Sequence, residues 1–395
     1  MSGTAGPSGS QASLREANSA RVVDAVKRYG HITQVELAAA TGLSPATISN
    51  IVKSLLAQGV VDTHNTVRSG RRAQMVTLAR RTGLAAGVYI GRRGLHLIIS
   101  DATQEALAEQ ILPLPIDHRV DTTLDRVAML IMELVESMGA ELDDVVGIGI
   151  ALPAPVDPDT QRISVRGIMR DWDDVDVRDV LSTRLNKDVV IDNDANAGAL
   201  AESRYGALRG VTNGVYVRAS YQSGAGIILD GKVHRGPRGT AGEVGHVQVS
   251  PQGPICQCGA RGCLNTVVGA DALIELLRIS RGPLTLRDLI AFANEGDPGC
   301  RQVLADAGST VGTVLADMST WNDPTLICVG GELSEVGDVF LSPIRDALSQ
   351  RPILSSKGIM VLASELGERA EPLGALVLAM DAFGSSYSTP SEEAQ

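Results

Sequence analysis

The sequence predicts an α/β protein in which a winged helix-turn-helix domain precedes a larger body of two α/β lobes. Three observations support this prediction: successive short helical segments near the N-terminus, alternating strands and helices from about residue 83, and polar turns after the buried strands. A chain of 395 residues is long enough for about two to four domains.

Composition and cysteine usage narrow the class of protein. Hydrophobic residues make up 44% and charged residues 21% of the chain, as in soluble globular proteins. No stretch approaches the ~18 consecutive apolar residues that span a bilayer, and residues 1–13 lack the basic and apolar regions of a secretory signal. Five cysteines are too few for a disulfide framework in a chain of this length. We therefore expect a cytoplasmic protein with no membrane partner.

Charge is unevenly distributed along the chain. Residues 1–82 carry ten Lys/Arg and four Asp/Glu, whereas the remaining residues hold 25 basic and 42 acidic side chains. A basic head on an acidic body is typical of a nucleic-acid-binding domain attached to another function. The pattern predicts a disordered tail over residues 1–10, which are uncharged, and a DNA-binding domain over residues 11–82.

Helix signals follow one another within the predicted DNA-binding domain. A helical period runs over residues 13–28, Thr33 and Glu36 form a capping box for a second helix, and Ser44 caps a third helix that begins at Pro45. The order of helix, short helix, turn and helix is that of a helix-turn-helix unit. The residues expected to contact DNA from the third helix and its cap are Ser44, Thr47, Ser49, Asn50 and Lys53.

Two strands joined by an arginine-rich turn follow the third helix. The turn carries Arg68, Arg71 and Arg72 around Ser69-Gly70. Guanidinium groups suit contacts to phosphates and to the minor groove, so these residues predict a wing that binds double-stranded DNA. The alternative is a packing module that does not bind DNA.

The body of the chain is predicted to form two lobes, over residues 83–192 and 193–380, followed by a C-terminal tail over 381–395. Predicted strands and hairpins occupy residues 87–100, 145–151, 189–191, 214–229 and 326–329, and predicted helices occupy 122–138, 271–279 and 301–318. Because polar turns follow the strands, we expect a ligand cleft between the lobes.

Three motifs in the body resemble those of the ROK family of repressors and sugar kinases. They are GIGIALPAPVD (147–157), DNDANAGALAE (192–202), and GTAGEVGHVQV with CQCGARGCLN (239–265). The resemblance covers about residues 83 to 380 and implies a two-lobed, actin-like sugar-kinase fold. With the winged helix in front, the whole chain resembles the ROK transcriptional regulators of the xylose- and N-acetylglucosamine-repressor type.

A cysteine cluster predicts a metal site. Cys256, Cys258 and Cys263 form a C-x-C-x4-C pattern, and His246 precedes it by ten residues. Three thiolates and one imidazole make the closed tetrahedral ligand set of structural zinc, and the family resemblance implies the same site. The expected cofactor is therefore a structural zinc ion, and the alternative is a loop with three reduced thiols.

The resemblance also implies a sugar site. In ROK kinases the Asn-Asp pair of the NDAN motif binds the sugar, and its Asp accepts the proton of the attacking hydroxyl; the matching residues are Asn193 and Asp194. The GE-x-GH element implies Glu243 and His246 as further sugar ligands. Asn265 stands where the family has a Glu, which keeps a hydrogen-bonding group but removes a charge. The expected effector is a sugar or a sugar phosphate; the alternative is a relic that binds no ligand.

The phosphate-binding turns of the family kinases are altered in this chain. The first turn, D-x-G-G-T in the kinases, reads YIGRR over residues 89–93, and the second, G-T-G-x-G, reads SYQSG over residues 220–224. Side chains thus replace glycines that allow close approach to phosphate, and the metal-organising acid is absent. We therefore expect no enzymatic activity. Arg92 and Arg93 are expected to be solvated side chains on a hairpin, and the alternative is that they hold an anion such as a sugar phosphate.

Together these features predict a ROK regulator, and specifically a repressor, that controls sugar-related genes in response to a sugar or sugar-phosphate effector. Reading two half-sites of operator DNA requires a homodimer or homotetramer. Two alternatives stay open. One is a sugar kinase with an appended DNA-binding head, and the other is a regulator controlled by a partner protein instead of a sugar.

Overall fold

The computed structural model describes residues 10–57, 60–68, 71–78, 83–101, 106–116, 118–355 and 358–383. Internal contacts divide the chain into two compact units with the main boundary between Leu84 and Ala85, and a short segment at residues 100–107 groups with the first unit. Within the described ranges, no helix has both the length and the apolar composition that crossing a membrane requires.

The N-terminal unit is a helix-turn-helix with a wing, as the sequence predicts. Its elements are α1 (Ser10–Tyr29), β1 (Ile32–Thr33), α2 (Gln34–Thr41), α3 (Pro45–Ala57), β2 (Val61–Arg68) and β3 (Arg71–Leu78). The strands are ordered β1-β3-β2, and both neighbouring pairs are antiparallel. Helix α1 begins at Ser10, one residue inside the segment predicted as a tail; residues 1–9 lie outside the described residues.

Local sequence signals account for the ends of the short helices. The Thr33 N–H donates to Glu36 Oε2 (2.9 Å) and the Glu36 N–H donates to Thr33 Oγ1 (3.3 Å), which confirms the capping box. Gly42 ends α2 with a φ of 68°, in the left-handed region that favours glycine. Helices and strands share one core, which contains Val22, Val26, Ile32, Leu37, Ile48, Val52, Leu55, Val61 and Val76.

The second unit contains two five-stranded sheets. The first sheet has the order β6-β5-β4-β7-β8, with β7 and β8 parallel. Its strands and the helices that follow them are β4 (Leu84–Ile90), β5 (Gly94–Ser100), β6 (Ala106–Pro113), α4 (Val120–Ser137), β7 (Val145–Leu152), α5 (Val177–Leu185) and β8 (Val189–Asn193). Helix α6 (Asp194–Tyr205) starts directly after β8. The DNDAN motif therefore lies where a buried strand becomes a helix.

The second sheet has the order β11-β10-β9-β12-β13, in which β12 runs parallel to both of its neighbours. The strands are β9 (Gly214–Ala219), β10 (Ser223–Leu229), β11 (Lys232–His234), β12 (Leu326–Gly330) and β13 (Met360–Ala363). The helices are α7 (Asn265–Val268), α8 (Ala270–Arg281), α9 (Leu286–Glu295), α10 (Pro298–Asn322), α11 (Asp338–Ser349), α12 (Pro352–Ser355) and α13 (Ala370–Phe383).

Helices α6 and α13 pack against each other and connect the two sheets. Helix α13 packs on β7, and α6 packs on β10. A Cβ on Gly374 would lie 1.8 Å from Ala197 O, and one on Gly149 would lie 1.8 Å from Ala375 O, so the close approach of these elements requires glycine. The packing crosses the predicted lobe boundary at residues 192/193, and α13 continues past the predicted lobe end at residue 380 to Phe383.

Candidate functional site

Helix α3 presents the polar side chains that were expected to read DNA. Ser49, Asn50 and Lys53 are exposed, whereas Ile48 and Val52 on the opposite side are buried. The same helix therefore packs on the core with one face and offers amide, hydroxyl and ammonium groups with the other.

The start of α3 is fixed by its cap. Ser44 Oγ accepts a hydrogen bond from the Thr47 N–H (3.2 Å) and lies 2.8 Å from Thr47 Oγ1. Ser44 is exposed and Thr47 is half-buried. Both hydroxyls lie at the N-terminal end of α3, where its backbone dipole attracts phosphate.

The wing is the hairpin of β2 and β3. Arg68 pairs with Arg71 and Val67 pairs with Arg72 as the last residues of the ladder. Ser69 and Gly70, which the sequence places in the turn, lie outside the described residues. The backbone thus brings all three predicted DNA-contacting arginines to one end of the hairpin.

The four predicted metal ligands come together in the second unit. The ligand atoms of His246, Cys256, Cys258 and Cys263 all lie within 4.8 Å of one another. Cys256 Sγ is 3.5 Å from His246 Nδ1, and Cys258 Sγ is 3.7 Å from Cys263 Sγ. Tetrahedral zinc with bonds of ~2.3 Å to sulfur and ~2.0 Å to nitrogen separates its ligands by about 3.5–3.8 Å. The donor set therefore fits a zinc ion in both chemistry and spacing.

The cysteine loop is held by tight turns, which bring its three thiols close together. Gly262 has a φ of 65°, and a Cβ there would lie 1.5 Å from Ser250 O, so glycine is required. Burial, followed by the neighbouring Cys258 and Cys256 thiols, raises the pKa of Cys263 to about 12. A divalent cation bound here would lower the pKa of these thiols and hold them as thiolates.

The first half of the predicted sugar site lies at the N-terminus of α6. Asn193 caps the helix: its Oδ1 accepts hydrogen bonds from the Ala195 (2.8 Å) and Asn196 (3.2 Å) N–H groups. Its Nδ2 donates to Ala154 O (3.2 Å). The Asn193 side chain is thus already engaged, and one N–H of its amide is left for a ligand. Asp194 is buried, and burial raises the pKa of its carboxyl.

The second half of the predicted sugar site comes from the loop that also carries His246, a predicted metal ligand. Glu243 Oε2 lies 3.8 Å from His246 Nε2, so the imidazole can face a metal with Nδ1 and Glu243 with Nε2. Burial, followed by the charge of Asp194, raises the pKa of Glu243 to about 7. Asn265 Oδ1 accepts a hydrogen bond from the Ser223 N–H (2.6 Å). Asn265, which is a predicted sugar ligand, therefore connects to β10 through its side-chain oxygen.

An unexpected cation lies beside Asp194. Arg218, on β9, is buried, and its Nε is 3.7 Å from Asp194 Oδ2 and 3.2 Å from Glu371 Oε1. Its Nη2 lies 3.8 Å from Glu332 Oε2. The guanidinium carbon is 5.2 Å from the centre of the Tyr89 ring. Arg218 therefore joins residues of both sheets around one buried positive charge.

Glu371, on α13, is the most deeply buried acid of this group. Its Oε1 accepts a hydrogen bond from Tyr216 O–H at 2.8 Å. Burial raises the pKa of Glu371 to about 7, although Arg218 acts in the opposite direction. Sequence patterns did not identify Glu371 or Arg218; the available signal was a charged residue inside the apolar run of β9.

The first altered phosphate turn is occupied by contacts within the protein. Arg92 Nη1 donates to Gln257 Oε1 (3.2 Å), and Gln257 lies between two of the metal-ligand cysteines. Arg93 pairs with Asp271 (2.7 Å) and lies over the ring of Tyr221, 4.3 Å from its centre. The expectation that these two arginines are simply solvated was wrong, because partners on the second sheet's side of the cleft engage both of them.

A cavity of about 490 Å³ lies in the second unit next to these residues. Its lining includes Tyr89, Arg92, Arg93, Arg218, Ser220, Tyr221, Arg287, Glu332, Glu335, Glu368 and Glu371. Three of these lining residues have a buried side-chain atom that makes no hydrogen bond: Arg218 Nε, Ser220 Oγ and Glu332 Oε2. Arg218 Nε and Glu332 Oε2 take part in the ion pairs of Arg218, so the wall of the cavity contains this buried charge cluster.

Both units match known protein families. Residues 85–382 match the ROK family, and residues 16–73 match the MarR family. The chain is 31% identical to the DNA-binding transcriptional dual regulator NagC of Escherichia coli K12, with 92% of each chain covered. It is 26% identical to a xylose repressor of Caldicellulosiruptor bescii, with 94% of this chain and 97% of that protein covered.

Solved structures agree with these matches. A ROK family transcriptional regulator described as a homologue of the E. coli MLC protein superposes with a TM-score of 0.70 at 26% identity, covering 92% of this chain and 96% of that chain. A ROK family glucokinase from Streptomyces griseus, in complex with glucose and AMPPNP, gives a TM-score of 0.67 at 28% identity and covers 76% of this chain and all of that one. With a winged helix followed by this two-sheet body, and with the match spanning residues 85–382, the chain belongs to the ROK family.

Proposed function

We propose that this protein is a DNA-binding transcriptional repressor whose ROK body binds a sugar effector and holds a structural zinc ion. The observation that carries the proposal is the presence of a winged helix and a ROK body in one chain, matched along both parts by proteins named as repressors. The exposed Asn50 and Lys53 on α3, with the three arginines of the wing, supply the DNA-contacting groups.

The body is proposed to sense its ligand without phosphorylating it. Tyr89 replaces the acid that organises the metal in the family kinases, and Arg92 is engaged with Gln257 where a phosphate would need free backbone. The fixed guanidinium of Arg218 lies next to Asp194. These three features support binding in place of phosphoryl transfer.

Zinc is proposed to occupy the site of His246, Cys256, Cys258 and Cys263 in a structural role. Four protein ligands would close the coordination sphere and leave no position for a catalytic water. The ion would fix the loop that also carries Glu243, and so would hold one side of the sugar site in place.

Repression would respond to the sugar through reciprocal coupling. A sugar weakens the operator complex only if it binds the DNA-free form more tightly than the DNA-bound form. Residues Asn193, Asp194, Glu243 and His246 are the proposed sugar ligands; Asn265 is proposed to support them through Ser223. Two half-sites and a homodimer or homotetramer would give the DNA affinity that one helix-turn-helix lacks.

The proposed function is tested by selecting operator DNA with the full-length protein and then titrating the selected duplex in fluorescence anisotropy with and without sugars. We expect sequence-specific binding that one sugar class weakens. Absence of sequence-specific DNA binding by the zinc-loaded full-length chain would overturn the proposal.

A sugar kinase with an appended DNA-binding head is the second candidate. The similarity of the body to the Streptomyces griseus glucokinase, at 28% identity, favours it. ATP turnover dependent on a sugar would establish this candidate. Control by a partner protein would instead be indicated if operator binding responds to a partner protein and to no sugar.

A further inference from the structure

The turn between β4 and β5 makes side-chain contacts with the part of the protein that is built on the second sheet. Arg92 Nη1 donates to Gln257 Oε1 at 3.2 Å, and Arg93 Nη2 donates to Asp271 Oδ1 at 2.7 Å. Arg93 also lies over the ring of Tyr221. The two hydrogen bonds join positions that are 165 and 178 residues apart in the chain. The turn that binds phosphate in the family kinases therefore binds other parts of the protein in this chain.

The three partners are anchored on the side of the second sheet. Tyr221 lies in the turn between β9 and β10 and packs against the core of this sheet. Asp271 is in the first turn of α8, whose Leu273 and Leu277 belong to the same core. Gln257 lies between two cysteines of the metal-ligand cluster. The contacts of the two arginines therefore span the cleft between the sheets.

The two sheets are also connected by helices α6 and α13, which pack against each other. The cavity of about 490 Å³ is lined by Glu371 of α13 and equally by Arg92, Arg93 and Tyr221. The helix pair and the arginine contacts thus both border the same space. Because the helices connect the sheets permanently, the cleft can widen at the cavity only if the arginine contacts break.

Each of these contacts is weak by itself. The Asp271 side chain is 63% exposed and that of Arg93 is 36% exposed, so water screens this ion pair. The contact between Arg93 and Tyr221 and the hydrogen bond from Arg92 to Gln257 add to it. Together, three contacts of this kind change the ratio of closed to open cleft by about tenfold. They therefore hold the cleft closed and still allow it to open.

We propose that Arg92 and Arg93, with Gln257, Asp271 and Tyr221, form an arginine clasp that holds the cleft between the two sheets closed without any ligand. The clasp is built from the turn that the family kinases use for phosphate, so closure in this protein needs no nucleotide. The inference goes beyond the proposed function, and its test requires neither a sugar nor DNA.

Hydrogen–deuterium exchange of the full-length, zinc-loaded protein, read by mass spectrometry, tests the clasp. Peptides covering residues 89–95, 220–224 and 253–263 report on both sides of it. In the double variant Arg92→Ala/Arg93→Ala we expect these peptides to exchange about tenfold faster than in the wild type, because an open cleft exposes their amides. The peptide of β12, in the core of the second sheet, should exchange at the wild-type rate. Wild-type exchange rates in all three clasp peptides would overturn the inference.

A charge swap separates the clasp from a general loss of stability. Arg93→Glu places an acid opposite Asp271, and we expect about fivefold faster exchange in the three clasp peptides. Adding Asp271→Arg restores a pair of opposite charges and should bring exchange back to within about twofold of the wild type. Arg278→Ala, which removes an ion pair with Glu275 inside α8, is the matched control and should change nothing. Failure of the second substitution to slow exchange would overturn the inference.

Operator binding is measured on the same protein samples, so that the clasp and the proposed function fail separately. Sequence-specific DNA binding by the wild type, together with unchanged exchange in the double variant, would overturn the clasp and leave the repressor function in place. Faster exchange in the double variant, with no sequence-specific DNA binding by the wild type, would support the clasp and overturn the repressor function.

Discussion

The guanidinium of Arg218 lies over the ring of Tyr89, with 5.2 Å between the guanidinium carbon and the ring centre. Tyr89 belongs to β4 in the first sheet and Arg218 to β9 in the second. In the family kinases the position of Tyr89 is an acid that organises a metal ion. The cleft of this protein thus contains a cation of its own, the guanidinium of Arg218. This guanidinium packs on the Tyr89 ring and lies next to the carboxyl of Asp194.

The first prediction is that the protein has no sugar kinase activity. Asp194→Asn should leave ATP turnover at the background level of the wild type, because the proposed function includes no phosphoryl transfer. The affinity for the effector sugar should fall, since the carboxyl group of Asp194 can accept two hydrogen bonds from sugar hydroxyls and a hydrogen bond contributes ~0.5–1.5 kcal/mol. A coupled ADP assay and calorimetry measure the two effects. Sugar-dependent turnover at ~1–100 s⁻¹ in the wild type would contradict this prediction.

Stability should depend on pH through Glu371. Burial raises the pKa of Glu371 to about 7, so the folded protein holds a proton that the unfolded chain releases above its ordinary pKa of 4.5. The free energy of unfolding should therefore fall as pH rises from about 4.5 to 7, by roughly 3 kcal/mol from this group. Urea unfolding across this range measures the slope.

Glu371→Gln isolates that contribution. Gln cannot ionise, and its Oε1 can still accept the hydrogen bond from Tyr216 O–H. We expect Glu371→Gln to lose this part of the pH dependence of the free energy of unfolding. Glu295→Gln, at the exposed end of α9, is the control and should keep it. An identical pH dependence in Glu371→Gln and wild type would show that Glu371 is ionised in the folded state at pH 5 to 7.

The zinc content of the protein should depend on the cysteines of the cluster. Plasma mass spectrometry of the wild type is expected to find about one zinc per chain, and Cys258→Ser should lose it because a hydroxyl is a poor zinc ligand at neutral pH. Cys300→Ser, at a buried cysteine outside the cluster, is the matched control and should retain the metal. Full zinc content in Cys258→Ser would contradict the assigned ligand set.

Sequence discrimination should depend on Asn50. This exposed amide on α3 can pair with the edge of an adenine in the major groove. Asn50→Ala should cost ~1–3 kcal/mol at the selected operator and leave binding to unrelated DNA unchanged. Anisotropy titrations with both duplexes provide the comparison. Equal losses on the two duplexes would show that Asn50 contacts the backbone or supports the fold.

The wing should contribute affinity without sequence discrimination. Arg71 stands at the end of the β2–β3 ladder opposite Arg68. Arg71→Ala should weaken binding to all duplexes and lower the slope of log affinity against log salt by about one unit per lost phosphate contact. Titrations at several salt concentrations measure the slope. An unchanged slope would place Arg71 away from the DNA phosphates.

Local chemistry made the N-terminal unit predictable from the sequence. The capping box of Thr33 and Glu36, the cap at Ser44 and the glycine after α2 act within a few residues, so their hydrogen bonds depend little on the rest of the chain. The cysteine loop is similar, because ligand identity and tight spacing already restrict its geometry.

Tertiary structure alone decided what surrounds Asp194. Arg218, Glu332 and Glu371 come from three separate elements. Glu332 lies 138 positions after Asp194 in the chain and Glu371 lies 177 positions after it, so no local sequence pattern shows that these acids surround the same guanidinium. The engagement of Arg92 with Gln257 likewise joins positions 165 residues apart. The sequence by itself determined the types of module, the cluster of candidate metal ligands and the polar motif at α6. The long-range packing of α13, β4 and β9 decided which of these groups are already paired, because burial and Coulomb interactions depend on distance in space.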